Sequence, residues 1–142
     1  MNVDDPRRAE AVLDGELALA EQLVRTLEAE RAALTGTSPD TVAEAAAAKL
    51  ELLTRLEQLE QSRRELCQGS DMTLSEGLAS RWRSLMQLMA RCRSANEVNG
   101  YIINVRRNQV QQLIDVVRGT NSFTYGPTGR AASTSLRGLA RA

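Results

Sequence analysis

The sequence predicts an all-α fold: an antiparallel bundle of three long helices followed by a mobile C-terminal tail. Three observations carry that expectation. Apolar residues recur at alternating steps of three and four over most of the chain, which keeps one face of a helix turned toward its neighbours. Aromatic residues make up only 3% of the chain while Leu, Ala, Val, Glu, Gln and Arg dominate, the mixture of long packed helices. Each periodic stretch is bounded by capping or breaking residues. At 142 residues a single core is expected, hiding roughly two thirds of the unfolded surface. Residues 1–119 form the bundle in this reading, and residues 120–142 the tail.

The first helix is expected from about Asp5 to Leu34. Asp5 serves as cap, Pro6 takes the first helical position, and Gly36 supplies a left-handed turn at the end. Its seam reads Leu13, Leu17, Ala20, Val24, Leu27, Arg31 and Leu34. The second helix opens at Ser38-Pro39 and runs to about Cys67, stopped by Gly69. Its seam is Val42, Ala45, Lys49, Leu52, Leu56, Leu59, Arg63 and Leu66, widened by Leu53. The connection Thr35-Gly36-Thr37-Ser38 is short enough to force an antiparallel hairpin.

Thr73-Leu74-Ser75-Glu76 fits a capping box and should open the third helix. The seam that follows is the longest in the chain: Leu78, Trp82, Leu85, Met89, Cys92, Asn96, Asn99, Ile103, Arg106, Val110, Leu113 and Val117. Continued to Arg118, just before Gly119, it would span roughly 67 Å at 1.5 Å per residue. That exceeds the earlier helices, so its distal half is expected to lack cover. Asn99-Gly100 is the place for a kink or split, since Gly costs about 1 kcal/mol relative to Ala inside a helix. Periodicity stops after Gly119, and residues 120–142 contain no acid and are rich in Gly, Ser, Thr, Ala and Arg, a composition expected to stay mobile in the free protein.

Composition also narrows the chemistry. Histidine, the most frequent general base and metal ligand near neutral pH, is absent. Cys67 and Cys92 have neither Cys-x-x-Cys spacing nor a histidine partner. No enzyme, metal site or cofactor is expected, and the cysteines are read as core. Met1-Asn2-Val3-Asp4-Asp5-Pro6 lacks a basic segment followed by an apolar stretch, and nowhere do about eighteen apolar residues run together. A cytoplasmic chain without direct membrane insertion is the expectation. Residues 1–60 hold 13 acids and 6 bases, a balance of −7, while residues 61–142 hold 5 acids and 12 bases, a balance of +7. The asymmetry fits an acidic helix packed beside basic ones, or a face for nucleic acid or an acidic partner.

Several residues stand out from a plain bundle. Asn96 and Asn99 lie on an apolar seam, where an amide either fixes helix register as a polar layer or hydrogen-bonds a bound peptide. Between Tyr101 and Val117 there are more apolar residues than one seam requires, including Ile102, Ile103, Val105, Val110, Leu113, Ile114, Val116 and Val117. This stretch is either central core or a stripe left open for a partner's amphipathic helix. Trp82 is read as core. Phe123 and Tyr125 are half of the chain's four aromatics, set in a segment too polar to fold alone. They suit a docking motif that orders on binding, or else pack back onto the bundle. Gly126-Pro127-Thr128-Gly129 lacks the spacing and the lysine of a phosphate loop.

Leu52-Leu53-Thr54-Arg55-Leu56-Glu57, Arg63-Arg64-Glu65-Leu66, Trp82, most specifically Asn96-Glu97-Val98-Asn99-Gly100-Tyr101-Ile102-Ile103, and the closing Tyr125-Gly126-Pro127-Thr128-Gly129 form a pattern over residues 52–129. That pattern resembles the FlgN family of flagellar export chaperones. The resemblance implies a cytosolic chaperone that binds the C-terminal helical regions of the two hook–filament junction (hook-associated) proteins. It would keep them unassembled and deliver them to the membrane protein of the flagellar export gate, with the export ATPase a further partner. Carried over, cargo binding falls on Ile102, Ile103, Val110, Leu113, Ile114 and Val117, and gate docking on Tyr125 and Phe123. The competing readings are a nucleic-acid-binding helical hairpin and a structural coiled-coil adaptor. Against the first, the arginines are scattered and no aromatics interleave them. All the seams could be satisfied within one chain or between two, which leaves a homodimer open.

Overall fold

The structure, a computed structural model, describes residues 6–67 and 75–119. The described residues form three helices: α1 (Pro6–Thr35), α2 (Pro39–Leu66) and α3 (Glu76–Val117). Pro6 and Pro39 each occupy the first helical position, where the missing N–H has no intrahelical partner to lose. Asp5, Gly69 and Thr73 lie outside the described residues.

Two helix ends differ from the sequence expectation. Ser75, not Thr73, caps α3: its hydroxyl accepts the Leu78 N–H at 3.1 Å from an extended backbone. Gly36 does not turn left-handed, because the end of α1 is closed in another way. The Gly36 N–H donates to Ala33 O at 3.1 Å, and the Arg106 guanidinium reaches across from α3 to donate to Leu34 O and Gly36 O. Gly119 is the glycine that takes positive φ among the described residues, at 71°, just past Arg118. Its N–H donates to Val116 O, the left-handed termination that favours glycine.

The helices run up, down, up. Glu30 pairs with Lys49 and Glu16 with Arg63, so α2 is antiparallel to α1. Cys92 meets Ala20, Asn99 meets Leu27 and Arg106 meets Leu34, a constant offset of 72 residues that makes α3 parallel to α1. The middle helix of the three in space is α1. It packs on both neighbours, while no Cα of α2 comes within 8 Å of one of α3 among the described residues.

That central place explains the largest departure from the expected seams. The buried face of α1 reads Ala9, Leu13, Glu16, Ala20, Leu23, Leu27, Glu30 and Leu34, an unbroken alternation of four and three. Leu13, Ala20, Leu27 and Leu34 match the expected seam. Leu17, Val24 and Arg31 yield the central positions to Glu16, Leu23 and Glu30. One apolar cluster joins Ala9, Leu13 and Ala20 to Leu78 and Leu85. A second joins Leu23 and Leu27 to Leu52, Leu56 and Cys92. Each fully buried leucine contributes about 1.5–3 kcal/mol.

α3 is one helix through Asn99-Gly100, so the split that the sequence allowed there does not occur. Gly100 is buried there, and the Asn99 amide beside it is bonded to the backbone of α1. Together these hold the stretch helical despite the glycine. With the 72-residue offset, Thr35 stands level with Arg107. The ten residues from Asn108 to Val117 therefore project roughly 15 Å beyond the end of α1.

Candidate functional site

Two polar layers cross the bundle and fix the level of each helix. In the upper layer the Glu30 carboxylate, 2% exposed, accepts from Lys49 Nζ at 3.1 Å and from Asn99 Nδ2 at 2.9 Å. The Asn99 amide, 0% exposed, also donates to Leu27 O at 2.8 Å and accepts from Arg31 Nε at 3.2 Å. Lys49 donates again to Asn96 Oδ1 at 3.3 Å. All three helices are thus tied together where a buried charge without partners would cost several kcal/mol.

In the lower layer Glu16 accepts from Arg63 Nε at 2.8 Å, and the Arg63 guanidinium lies 4.7 Å from the centre of the Trp82 ring. Burial pushes the Glu16 carboxyl above its ordinary value, and Arg63 opposes that rise. The two layers repeat at an interval of fourteen residues, two heptads, in every helix: Glu16 and Glu30, Arg63 and Lys49, Trp82 and Asn96. On the far side of the α1–α3 contact, Arg81 donates to Asp14 at 2.8 Å. Acids of α1 thus meet bases of both partners, and Glu16–Arg63 and Asp14–Arg81 join the acidic first part of the chain to the basic second part.

Above the upper layer the bundle opens. The first turns of α2 carry only Val42 among Ala43 and the run Ala45–Ala48, too small to close on α3. The result is a groove of about 710 Å³ between the α1–α2 turn, the start of α2 and the distal half of α3. Leu34, Pro39, Val42, Leu50, Ile103 and Val110 line it, with Lys49 and Glu30 at its floor.

The groove continues onto the projecting end of α3. Successive helix positions stand about 100° apart, so Val110, Leu113, Ile114 and Val117 extend the face that packs on α1 lower down. Past Thr35 that face meets no helix facing it along α1's line among the described residues. Leu113 is 66% and Val117 85% exposed, and Val110 and Ile114 are also exposed. Ile102 and Ile103 are half-buried at the base of the stripe, with Ile103 on the groove wall. The six residues thus lie on one strip of helix surface, running from the groove to the tip. Tyr125 and Phe123 lie outside the described residues.

Sequence reasoning missed Glu16 and Glu30, and it missed Leu50 and Pro39 as groove lining. A signal for the acids was present. Lys49 and Arg63 sit fourteen apart on the α2 seam and require two buried acids at the same interval on a neighbouring helix. Nothing comparable marks Leu50, which is exposed because the first turns of α2 stand apart from α3.

The described residues offer little for catalysis. Among them no group of three or more His, Cys, Asp or Glu is placed to hold a metal, and burial pushes the Cys92 thiol up, away from the reactive thiolate. No helix among them is long and apolar enough to cross a membrane. The chain matches the FlgN protein family over residues 7–133. It belongs to the FlgN family. Two proteins each named "Flagella synthesis protein FlgN", one from Salmonella typhimurium and one from Salmonella typhi, are 32% identical to it over 91 residues. The alignments cover 63% of this chain and 64% of each relative, a little under two thirds of their length. No solved structure matches the chain. Within this FlgN-family chain, the motif Asn96–Ile103 spans the upper polar layer and the base of the exposed stripe.

Proposed function

We propose that this FlgN-family chain serves flagellum assembly as a cytoplasmic export chaperone. It binds the C-terminal helical regions of hook-associated, hook–filament junction proteins, keeps them from assembling, and delivers them to the export gate. The observation that carries this reading is the inward face of α3 running on past the end of α1, with Leu113 and Val117 exposed. A helix that presents apolar residues at steps of three and four, with no helix opposite, has the geometry that accepts an amphipathic helix. Exposed apolar surface of this kind is retained on soluble proteins mainly where a partner covers it. The cargo helix takes the place that α1 holds lower on α3, with Ile102, Ile103, Val110, Leu113, Ile114 and Val117 as its contacts. The polar layer of Asn96 and Asn99 holds the register of the platform.

Delivery requires a second contact that does not compete with the first. Tyr125 and Phe123, beyond Gly119, supply it by docking on the gate's membrane protein, and the export ATPase is a further partner. The reading assigns no catalytic step and no cofactor. Leu113→Asp/Val117→Asp should abolish co-purification with the junction proteins while far-UV circular dichroism keeps its helical signal. Tyr125→Ala should lower gate binding and leave cargo capture intact. Retained cargo binding in the double variant would remove the stripe from this role.

A further inference from the structure

The groove at the top of the bundle and the chain that leaves α3 are close enough to belong together. Gly119, at φ 71°, stops the helix and turns the backbone off the α3 axis. Residues 120–142 follow. Val110 lies nine residues below Gly119, roughly 13 Å along the helix, and Ile103 lies sixteen below, roughly 24 Å. Phe123 and Tyr125 are four and six residues beyond Gly119. A returning extended chain of about 3.3 Å per residue brings them roughly 13 and 20 Å back. Both therefore reach the level of the groove wall between Val110 and Ile103.

We propose that in the protein without cargo, Phe123 and Tyr125 occupy this groove, packed against Val42, Leu50, Ile103 and Val110. The volume of about 710 Å³ accommodates both rings, and the walls offer aliphatic side chains at the level that the connecting residues reach. Phe and Tyr each bury roughly 150–250 Å² when enclosed, enough to outweigh the ordering of a short connection. Being tethered, the pair faces the groove at an effective concentration on the order of millimolar, which favours it over a second copy of the chain. In the FlgN-family reading above, the same aromatics address the export gate. Cargo entering the groove would then displace them and make them available, so that a loaded chaperone is the one that docks. The intramolecular docking itself concerns the free protein and stands apart from the cargo reading.

The test is photocrosslinking of the full-length chain carrying Phe123→p-benzoylphenylalanine, with crosslinked peptides mapped by mass spectrometry. Crosslinks should fall within one chain, on segments 39–50 and 103–110, at a yield independent of protein concentration. Amide exchange gives a second readout. Phe123→Ala/Tyr125→Ala should speed exchange several-fold across those two segments and leave the lower polar layer near Glu16 unchanged. Crosslinks between chains, crosslinks spread no differently from those of the same probe at Thr134, or unaltered exchange in the double variant would each overturn the proposal. None of these results depends on whether junction proteins bind, so loss of the cargo reading would leave the outcome interpretable.

Discussion

Lys49→Met removes one charge from the upper polar layer and keeps the aliphatic bulk that packs beside Leu52. Its ammonium lies 3.1 and 3.4 Å from the two Glu30 oxygens and 3.3 Å from Asn96 Oδ1. Without it, a carboxylate with 3% side-chain exposure keeps the Asn99 amide as its neighbour at 2.9 Å, and water has little access. Breaking such a pair from one side costs about 3–5 kcal/mol. For a domain of this size that corresponds to a fall of roughly 10–20 °C in Tm. Urea unfolding followed by far-UV circular dichroism gives the free energy directly, provided the slope with denaturant is unchanged. Glu30→Met/Lys49→Met should recover a good part of the loss, because it removes the stranded charge as well. A loss under about 1 kcal/mol for Lys49→Met would put the pair in the range of solvated ion pairs and refute its description as a buried pair.

Two further outcomes follow from the same geometry. Glu16 holds its proton longer folded than unfolded because burial raises its carboxyl above the ordinary 4.5. Its contribution is therefore full below that value and is lost as pH rises through the folded value. Wild-type stability relative to Glu16→Gln should fall as pH rises above the ordinary 4.5 in matched urea titrations, and a rising difference would mean that Arg63 outweighs burial. Arg106→Ala should cost about 1–2 kcal/mol by freeing the Leu34 and Gly36 carbonyls, with faster amide exchange confined to the end of α1; unchanged exchange there would show that water serves those carbonyls equally well.

The fold was legible because period and punctuation agree. The α2 seam from Val42 to Leu66 and the α3 seam from Leu78 to Ile103 are the faces that turn inward, Ser38-Pro39 begins α2, and Gly119 follows the end of α3. The α1 seam was read half correctly, for a reason in the physics. A helix between two others must bury a face wider than one stripe, and its centre here includes Glu16 and Glu30, which hydropathy assigns to water. Their burial depends on Lys49, Arg63 and Asn99, partners 19, 47 and 69 residues away in sequence and on other helices, which no local window contains. The same limit applies at Asn99-Gly100, where a local helix breaker is overridden by an amide bonded to Leu27 O.

The candidate site was legible in composition more than in shape. The excess of apolar residues between Tyr101 and Val117 is visible in the sequence, and the alternatives of core and open stripe are separated by a length. α1 ends level with Arg107, so among the described residues Leu113 and Val117 have no helix opposite them, and Val110 faces only the start of α2 across the groove. The groove below could not be read in advance, since it depends on α2 packing on α1 and not on α3, with Ala43 and Ala45–Ala48 too small to fill the gap, and on Arg106 holding the α1–α2 turn.

The central claim is that the projecting end of α3 grips cargo without serving the fold. The most direct measurement is isothermal titration of a hook-associated protein's C-terminal helical region into wild-type chain and into Leu113→Asp/Val117→Asp, with urea unfolding of both proteins alongside. Both side chains are largely exposed, so stability should stay within about 0.5 kcal/mol of wild type. Affinity should fall by at least about tenfold, the equivalent of about 1.4 kcal/mol, when charge enters a desolvated contact. Unchanged affinity in a folded double variant would contradict the account, and so would a variant that unfolds, which would make the stripe part of the core.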